Sequence, residues 1–107
     1  MEKVIGIYDS GVGGLSVFRE LSRLLPNHDY LYFADTAHMP YGDRSHQEIV
    51  TFSKQIIDFL TQKGAAIIVV ACNTSSAIAL PTLSPQAKVP LLGMIQPAVE
   101  ATCGCGP

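Results

Sequence analysis

The stretch that most constrains the fold is Ala65-Ala66-Ile67-Ile68-Val69-Val70-Ala71-Cys72-Asn73-Thr74-Ser75-Ser76. Its unbroken apolar half is rich in β-branched residues and follows Gly64, the pattern of a strand covered on both faces. A strand of that kind belongs inside a parallel sheet. The polar half follows at once, and Asn73, Thr74, Ser75 and Ser76 are each suited to cap a helix. Cys72 stands at the junction, where a strand delivers a side chain to the sheet edge beside a helix start. Such a place favours a thiolate over a thiol, although a cysteine that ends a buried strand is more often a packing residue.

The rest of the chain repeats the strand-then-helix pattern. Lys3–Tyr8 is an apolar strand that stops at the glycine-rich turn Asp9-Ser10-Gly11-Val12-Gly13-Gly14, after which Leu15, Phe18, Leu21, Leu24 and Leu25 recur at helical spacing. Pro26-Asn27 closes that helix. Tyr30–Ala34 is a second strand, and Asp35–Arg44 is a loop by its Pro, Gly and Asp content. Ser45 with Glu48 three residues on is a capping-box signature, and the stripe Ile49, Phe52, Ile56, Ile57, Leu60 runs to a stop before Gly64. The helix after Cys72 is expected to end near Leu80-Pro81, and Val89–Ile95 reads as a fourth strand. The expectation is an α/β fold: an open parallel sheet of about four strands flanked by helices on both sides. Residues 1–102 form one domain, and the tail Cys103-Gly104-Cys105-Gly106-Pro107 matches no element.

Composition narrows the function classes. The 107 residues are 48% hydrophobic and 15% charged with a formal net charge of −2, which describes a packed globular chain. Seven unclustered Lys and Arg residues give no nucleic-acid surface. No apolar run is long enough to cross a membrane, and the N-terminal MEKVIGIYDS meets an acid too early for a signal peptide. Three cysteines without framework spacing fit free thiols in a cytoplasmic protein.

Parallel strands all end on one sheet edge, where ligands bind outside the carboxyl ends. That edge collects Asp9 and Ser10, the Pro40-Tyr41-Gly42 loop, Cys72-Asn73-Thr74, and Gln96. An acid, hydroxyls, an amide, a thiol and helix-start N–H groups suit a carboxylate ligand. Each piece also has a plainer reading. Asp9 and Ser10 serve as helix caps, Pro40-Tyr41-Gly42 as a surface turn, and Arg44 as a solvated charge. His28, His38 and His46 have no partners at metal-ligand spacing and are expected in solvent. Cys103 and Cys105 lack a second ligand pair, so no metal site is expected. Ser16 stands where the dinucleotide fingerprint needs its third glycine, which disfavours a nucleotide site.

DSGVGGL at the first strand end, PYG in the second loop and ACNTSSA at the third together resemble the aspartate/glutamate racemase family, over about residues 4–102. The resemblance implies one flavodoxin-like lobe of a two-lobe enzyme that interconverts L- and D-glutamate for peptidoglycan, with no cofactor and no metal. It implies that Cys72 is one of two acid/base cysteines and that Asp9 tunes it. Ser10, Tyr41, Gly42, Asn73 and Thr74 would hold the substrate, with Pro40 shaping the loop. A second Gly-Cys-Thr-His motif has no counterpart here, and Ile95-Gln96-Pro97-Ala98 stands where the family has Ile-Glu-Pro-Gly. The chain thus looks like an N-terminal lobe, inactive alone, whose uncovered apolar face could promote a homo-oligomer. The alternative from another class is a non-catalytic α/β module that binds a small carboxylate or a partner protein.

Overall fold

The computed structural model describes residues 3–10, 14–38 and 41–93. Four strands alternate with helices: β1 (Val4–Asp9), α1 (Leu15–Leu24), β2 (Asp29–Ala34), α2 (His46–Gln62), β3 (Ala65–Val70), α3 (Asn73–Ile78), α4 (Leu80–Leu83) and β4 (Leu91–Gly93). All pairings are parallel, in the order β2-β1-β3-β4. The α/β sheet expected from the sequence is therefore present.

The strand order dictates where the helices go. The chain steps from β1 outward to β2, then returns past β1 to β3 and continues to β4. Right-handed crossovers place helices on opposite faces when the direction of travel reverses. Accordingly α1 covers one face, with Val17, Phe18 and Leu21 against Ile5, Ile7 and Val69. The other face carries α2, α3 and α4, where Ile49, Ile56, Ile57, Leu60 and Leu83 pack with Tyr8, Ile68 and Val70. The alternation of Ile7 and Tyr8, or of Val69 and Val70, between these two cores is the two-residue period of a strand buried on both sides.

Local signals explain the helix ends. Ser45 Oγ accepts the Glu48 N–H at 3.1 Å, and the Glu48 carboxylate accepts the Ser45 N–H at 3.0 Å, so the capping box is complete. Helix α2 closes at Lys63, and Gly64 follows at φ 101°, a left-handed conformation that glycine adopts without strain. Two boundaries differ from the sequence reading. Pro81 does not end the helical segment; it sits in the first turn of α4, where its missing N–H has no partner to lose, and a 3₁₀ turn over Ser84–Gln86 follows. The fourth strand is shorter, Leu91–Gly93, with Pro90 kept outside the ladder as an acceptor for the Ile68 N–H. Residues 94–107, which include Gln96, Cys103 and Cys105, lie outside the described residues. No helix of the described residues is long and apolar enough to cross a membrane.

Candidate active site

The strand order reverses beside β1, so the crevice between the ends of β1 and β3 is the topological switch point of the sheet. The register sets Tyr8 opposite Val70, and the Ala71 N–H donates to Tyr8 O at 2.7 Å. Asp9-Ser10 and Ala71-Cys72 therefore leave the sheet side by side. On the far side of β1, the Asp35 N–H donates to Asp9 O at 2.8 Å and brings in the loop after β2.

Cys72 is buried, and it is itself the N-cap of α3, in extended backbone geometry. The sequence offered Asn73 to Ser76 for that position. The cap falls on Cys72 because β3 ends only two residues earlier and the helix begins at once. Its Sγ accepts the Ser75 N–H at 3.5 Å and donates to Ser10 Oγ at 3.3 Å. The sulfur thus has one fixed N–H donor and one hydroxyl that can turn to donate when the thiol loses its proton.

Asp9 is buried and is held by its own turn. Oδ1 accepts the Ser10 N–H at 2.8 Å, and Oδ2 accepts the Gly14 N–H at 2.6 Å. It is not the cap of α1, since that position is Gly14 and has no side-chain cap. Gly14 is required there: a Cβ would lie 2.8 Å from the Tyr32 hydroxyl, 3.0 Å from Ala71 Cβ and 3.1 Å from Asp9 Cβ. Burial, and then the Asp9 charge, push the Tyr32 phenol up.

Tyr41 begins a short 3₁₀ turn (Tyr41–Asp43) that packs against α3. Its side chain is buried, and its hydroxyl donates to Asp35 Oδ2 while accepting from Tyr8 at 2.6 Å. Burial first, and then these two partners, push the Tyr41 phenol up. Gly42 lies in the same turn; Asn73 is exposed and Thr74 half-buried at the start of α3. Pro40, like Gly11 to Gly13, lies outside the described residues.

The histidine expectation needs two corrections, the first being that His28 is half-buried, with its Nδ1 buried and without a hydrogen-bond partner among the described residues. Second, His38 is not simply solvated: Nδ1 is 2.8 Å from both Asp35 oxygens, and the ring stacks on Phe52 at 3.7 Å. Asp35 is a buried carboxylate and draws in the nearest donors, His38 and Tyr41. Arg44 is likewise engaged, with Nε donating to His38 O at 3.1 Å and the guanidinium over Phe52. Tyr8, Asp35 and Ser53 are polar groups of this region that the sequence did not mark, because each lies inside an apolar run, a loop or a helix face, and Ser75 was marked only as a possible helix cap. Among the described residues no group of three or more His, Cys, Asp and Glu side chains could hold a metal ion. A thiol held between a hydroxyl and a backbone N–H is a group that can give up or take a proton.

Comparison with known proteins places the chain among relatives of one family. The profile described as Asp/Glu/Hydantoin racemase matches residues 5–106. Glutamate racemase of Gloeothece citriformis is 53% identical over 97 residues, covering 91% of this chain and 35% of that protein. Glutamate racemase of Desulforudis audaxviator is 50% identical over 98 residues, 91% of this chain and 36% of that protein. Among solved structures, glutamate racemase from Aquifex pyrophilus superposes with a TM-score of 0.88 at 47% identity, covering 92% of this chain and 39% of that one. Glutamate racemase from Thermus thermophilus, in complex with β-chloro-D-alanine, gives 0.89 at 46% identity over 94% and 40%. The chain thus spans well under half the length of the relatives it matches. The family profile covers nearly all of this chain, and the chain belongs to the Asp/Glu/hydantoin racemase family.

Proposed function

We propose that this chain is the part of a glutamate racemase that carries one of its two acid/base thiols. The observation that supports the reading best is the Cys72 sulfur, seated at the switch-point crevice between the Ser75 N–H and the Ser10 hydroxyl. In this reading the Cys72 thiolate takes the α-proton of one glutamate enantiomer. The C–H bond breaks, an S–H bond forms, and the electron pair is delocalised into the α-carboxylate. Ser10 donates to the thiolate before the transfer and accepts from the thiol after it. Asp9 holds the turn that carries Ser10 and adds a carboxylate beside the site. The backbone of Tyr41 and Gly42 and the polar start of α3, with Asn73 and Thr74, bind the substrate's carboxylates and ammonium, and Pro40 shapes the loop that presents them.

Inversion needs a second proton donor on the opposite face of the carbanion. That group would come from the portion of the relatives' length that this chain does not span. Residues 1–102 would then be one lobe of a two-lobe enzyme, with residues 103–107 outside the lobe's pattern. No cofactor is required, and the product would supply peptidoglycan synthesis in the cytoplasm.

The test is L-glutamate in D2O with the purified chain, followed by mass spectrometry and chiral chromatography. Deuterium should enter L-glutamate slowly with retained configuration, and Cys72→Ser should abolish that exchange. Exchange unaltered in the Ser variant would remove Cys72 from the chemistry. Cys72-dependent formation of D-glutamate would refute the need for a second thiol. Glutamate binding without exchange in either form would favour the non-catalytic module.

A further inference from the structure

We propose that the Tyr8 hydroxyl is a positioning group for the candidate site, tying the start of α3, which carries Cys72, to the Tyr41–Gly42 turn. For its chemistry the proposal rests on the reading of Cys72 given above. Tyr8 precedes Asp9 on β1, and its side chain is fully buried on the face covered by α2 and α3. There a phenylalanine would fill almost the same space. A phenol hydroxyl in that place would cost about 1–3 kcal/mol if left without partners.

It has three partners from three elements: Tyr41 at 2.6 Å, Ser53 Oγ on α2 at 3.1 Å and Ser75 Oγ on α3 at 3.1 Å. The direction of donation follows from the far end. The Tyr41 hydroxyl donates to the Asp35 carboxylate and so accepts from Tyr8. The single Tyr8 proton is then spent on Tyr41, and the Tyr8 oxygen is left to accept from Ser75, whose own oxygen accepts from Ser53. Ser53 also reaches Ser75, at 3.3 Å. The Tyr8 hydroxyl therefore uses its proton toward Tyr41 and its oxygen toward Ser75. Two of its three partners lie on the elements that carry candidate site residues.

The link to the thiol runs through Ser75. Its side chain is bonded to Tyr8, and its backbone N–H is the donor to Cys72 Sγ. Anchoring the Ser75 side chain to β1 holds the first turn of α3 in place, and with it the N–H that reaches the sulfur. Without the Tyr8 oxygen, Ser75 is held by Ser53 alone, and the thiolate loses part of its stabilisation.

The experiment uses the full 107-residue chain. Iodoacetamide alkylation is followed across pH on the Cys72-containing peptide alone, so that Cys103 and Cys105 do not contribute. Tyr8→Phe and Ser75→Ala should each raise the midpoint by about half a pH unit, roughly threefold slower reaction near neutrality. Ser53→Ala, which removes only the longer of the two contacts to Ser75, at 3.3 Å, should lower thermal stability and shift the midpoint clearly less than Tyr8→Phe or Ser75→Ala. A folded Tyr8→Phe chain with the wild-type midpoint overturns the proposal, as does an equal shift in Ser53→Ala. Should Tyr8→Phe fail to fold, Ser75→Ala decides by the same criterion. L-Glutamate added to the wild-type chain should slow alkylation; if it does not, the functional reading of the crevice fails while the midpoint comparison still stands.

Discussion

Replacing Asp9 by Asn separates what this carboxylate does for the fold from the chemical role proposed for it. Its two oxygens accept the Ser10 and Gly14 N–H groups at 2.8 and 2.6 Å, and the side chain is buried. Asparagine has one carbonyl oxygen and one NH2, so one of the two backbone donors must face another donor. The loss is one charge-assisted hydrogen bond of about 2 kcal/mol, together with about 1 kcal/mol or more for a buried N–H without an acceptor. A total near 3 kcal/mol is a large part of the ~5–15 kcal/mol that holds an ordinary domain together. For a chain of this size it corresponds to a fall in Tm of about 12–20 °C. Equilibrium urea unfolding followed by circular dichroism, with an unchanged m-value, measures it directly. Ser10→Ala is the control, because Ser10 gives Asp9 its backbone N–H and not its hydroxyl; it should cost less than about 1 kcal/mol. An Asp9→Asn chain within 1 kcal/mol of wild type would refute the view that Asp9 clamps the turn. Any loss of activity in that variant could then be assigned to chemistry alone.

Three further outcomes follow from the same contacts. Tyr41→Phe strands the Tyr8 donor and takes a donor from Asp35, so it should cost about 2–3 kcal/mol near neutrality. The folded protein holds the Tyr41 phenol neutral beyond its ordinary value of 10.0, so its contribution is complete below pH 10 and is lost as pH rises further; unfolding free energies measured above pH 10 should fall less steeply in the Phe variant. Ser45→Ala breaks the capping box of α2 and should cost about 1 kcal/mol in urea titrations. The Ser45 N–H and hydroxyl hold the Glu48 carboxyl below 4.5, so the wild type loses that contribution as pH falls through the folded value, and the Ala variant should show a shallower acid limb. Gly14→Ala brings a methyl against Ala71 Cβ and Asp9 Cβ as well as the Tyr32 hydroxyl, and should lower stability by about 1–3 kcal/mol in calorimetry.

What could be read from the sequence was whatever is encoded locally. The β-branched run at β3, the Ser45–Glu48 box and Gly64 after α2 each announce themselves within a few residues, and the structure has all three. Boundaries that depend on neighbours were less legible. The cap of α3 fell on Cys72 because the preceding strand ended there, and Pro81 opened a helical turn because its nitrogen met no acceptor. The Tyr8 network was not legible at all. Tyr8 stands 33 residues from Tyr41, 45 from Ser53 and 67 from Ser75. In the sequence it is one more large residue in an apolar strand, and only the sheet order shows why its oxygen matters.

The same sheet order bears on how the protein is made. β1 leaves the ribosome before β2, β3 and β4, yet it sits inside the sheet and needs both β2 and β3 to satisfy its backbone. After β2 emerges the chain can hold only a two-stranded ribbon with one flank of β1 open, a marginal object in water. That flank stays open until α2 and β3 have also been synthesised, some 35 residues later at the usual elongation rate of about 5–20 residues per second. During those seconds the open edge can pair with another nascent chain. Any factor that slows translation between β2 and β3 should therefore lower the soluble yield more than an equal pause placed after β3.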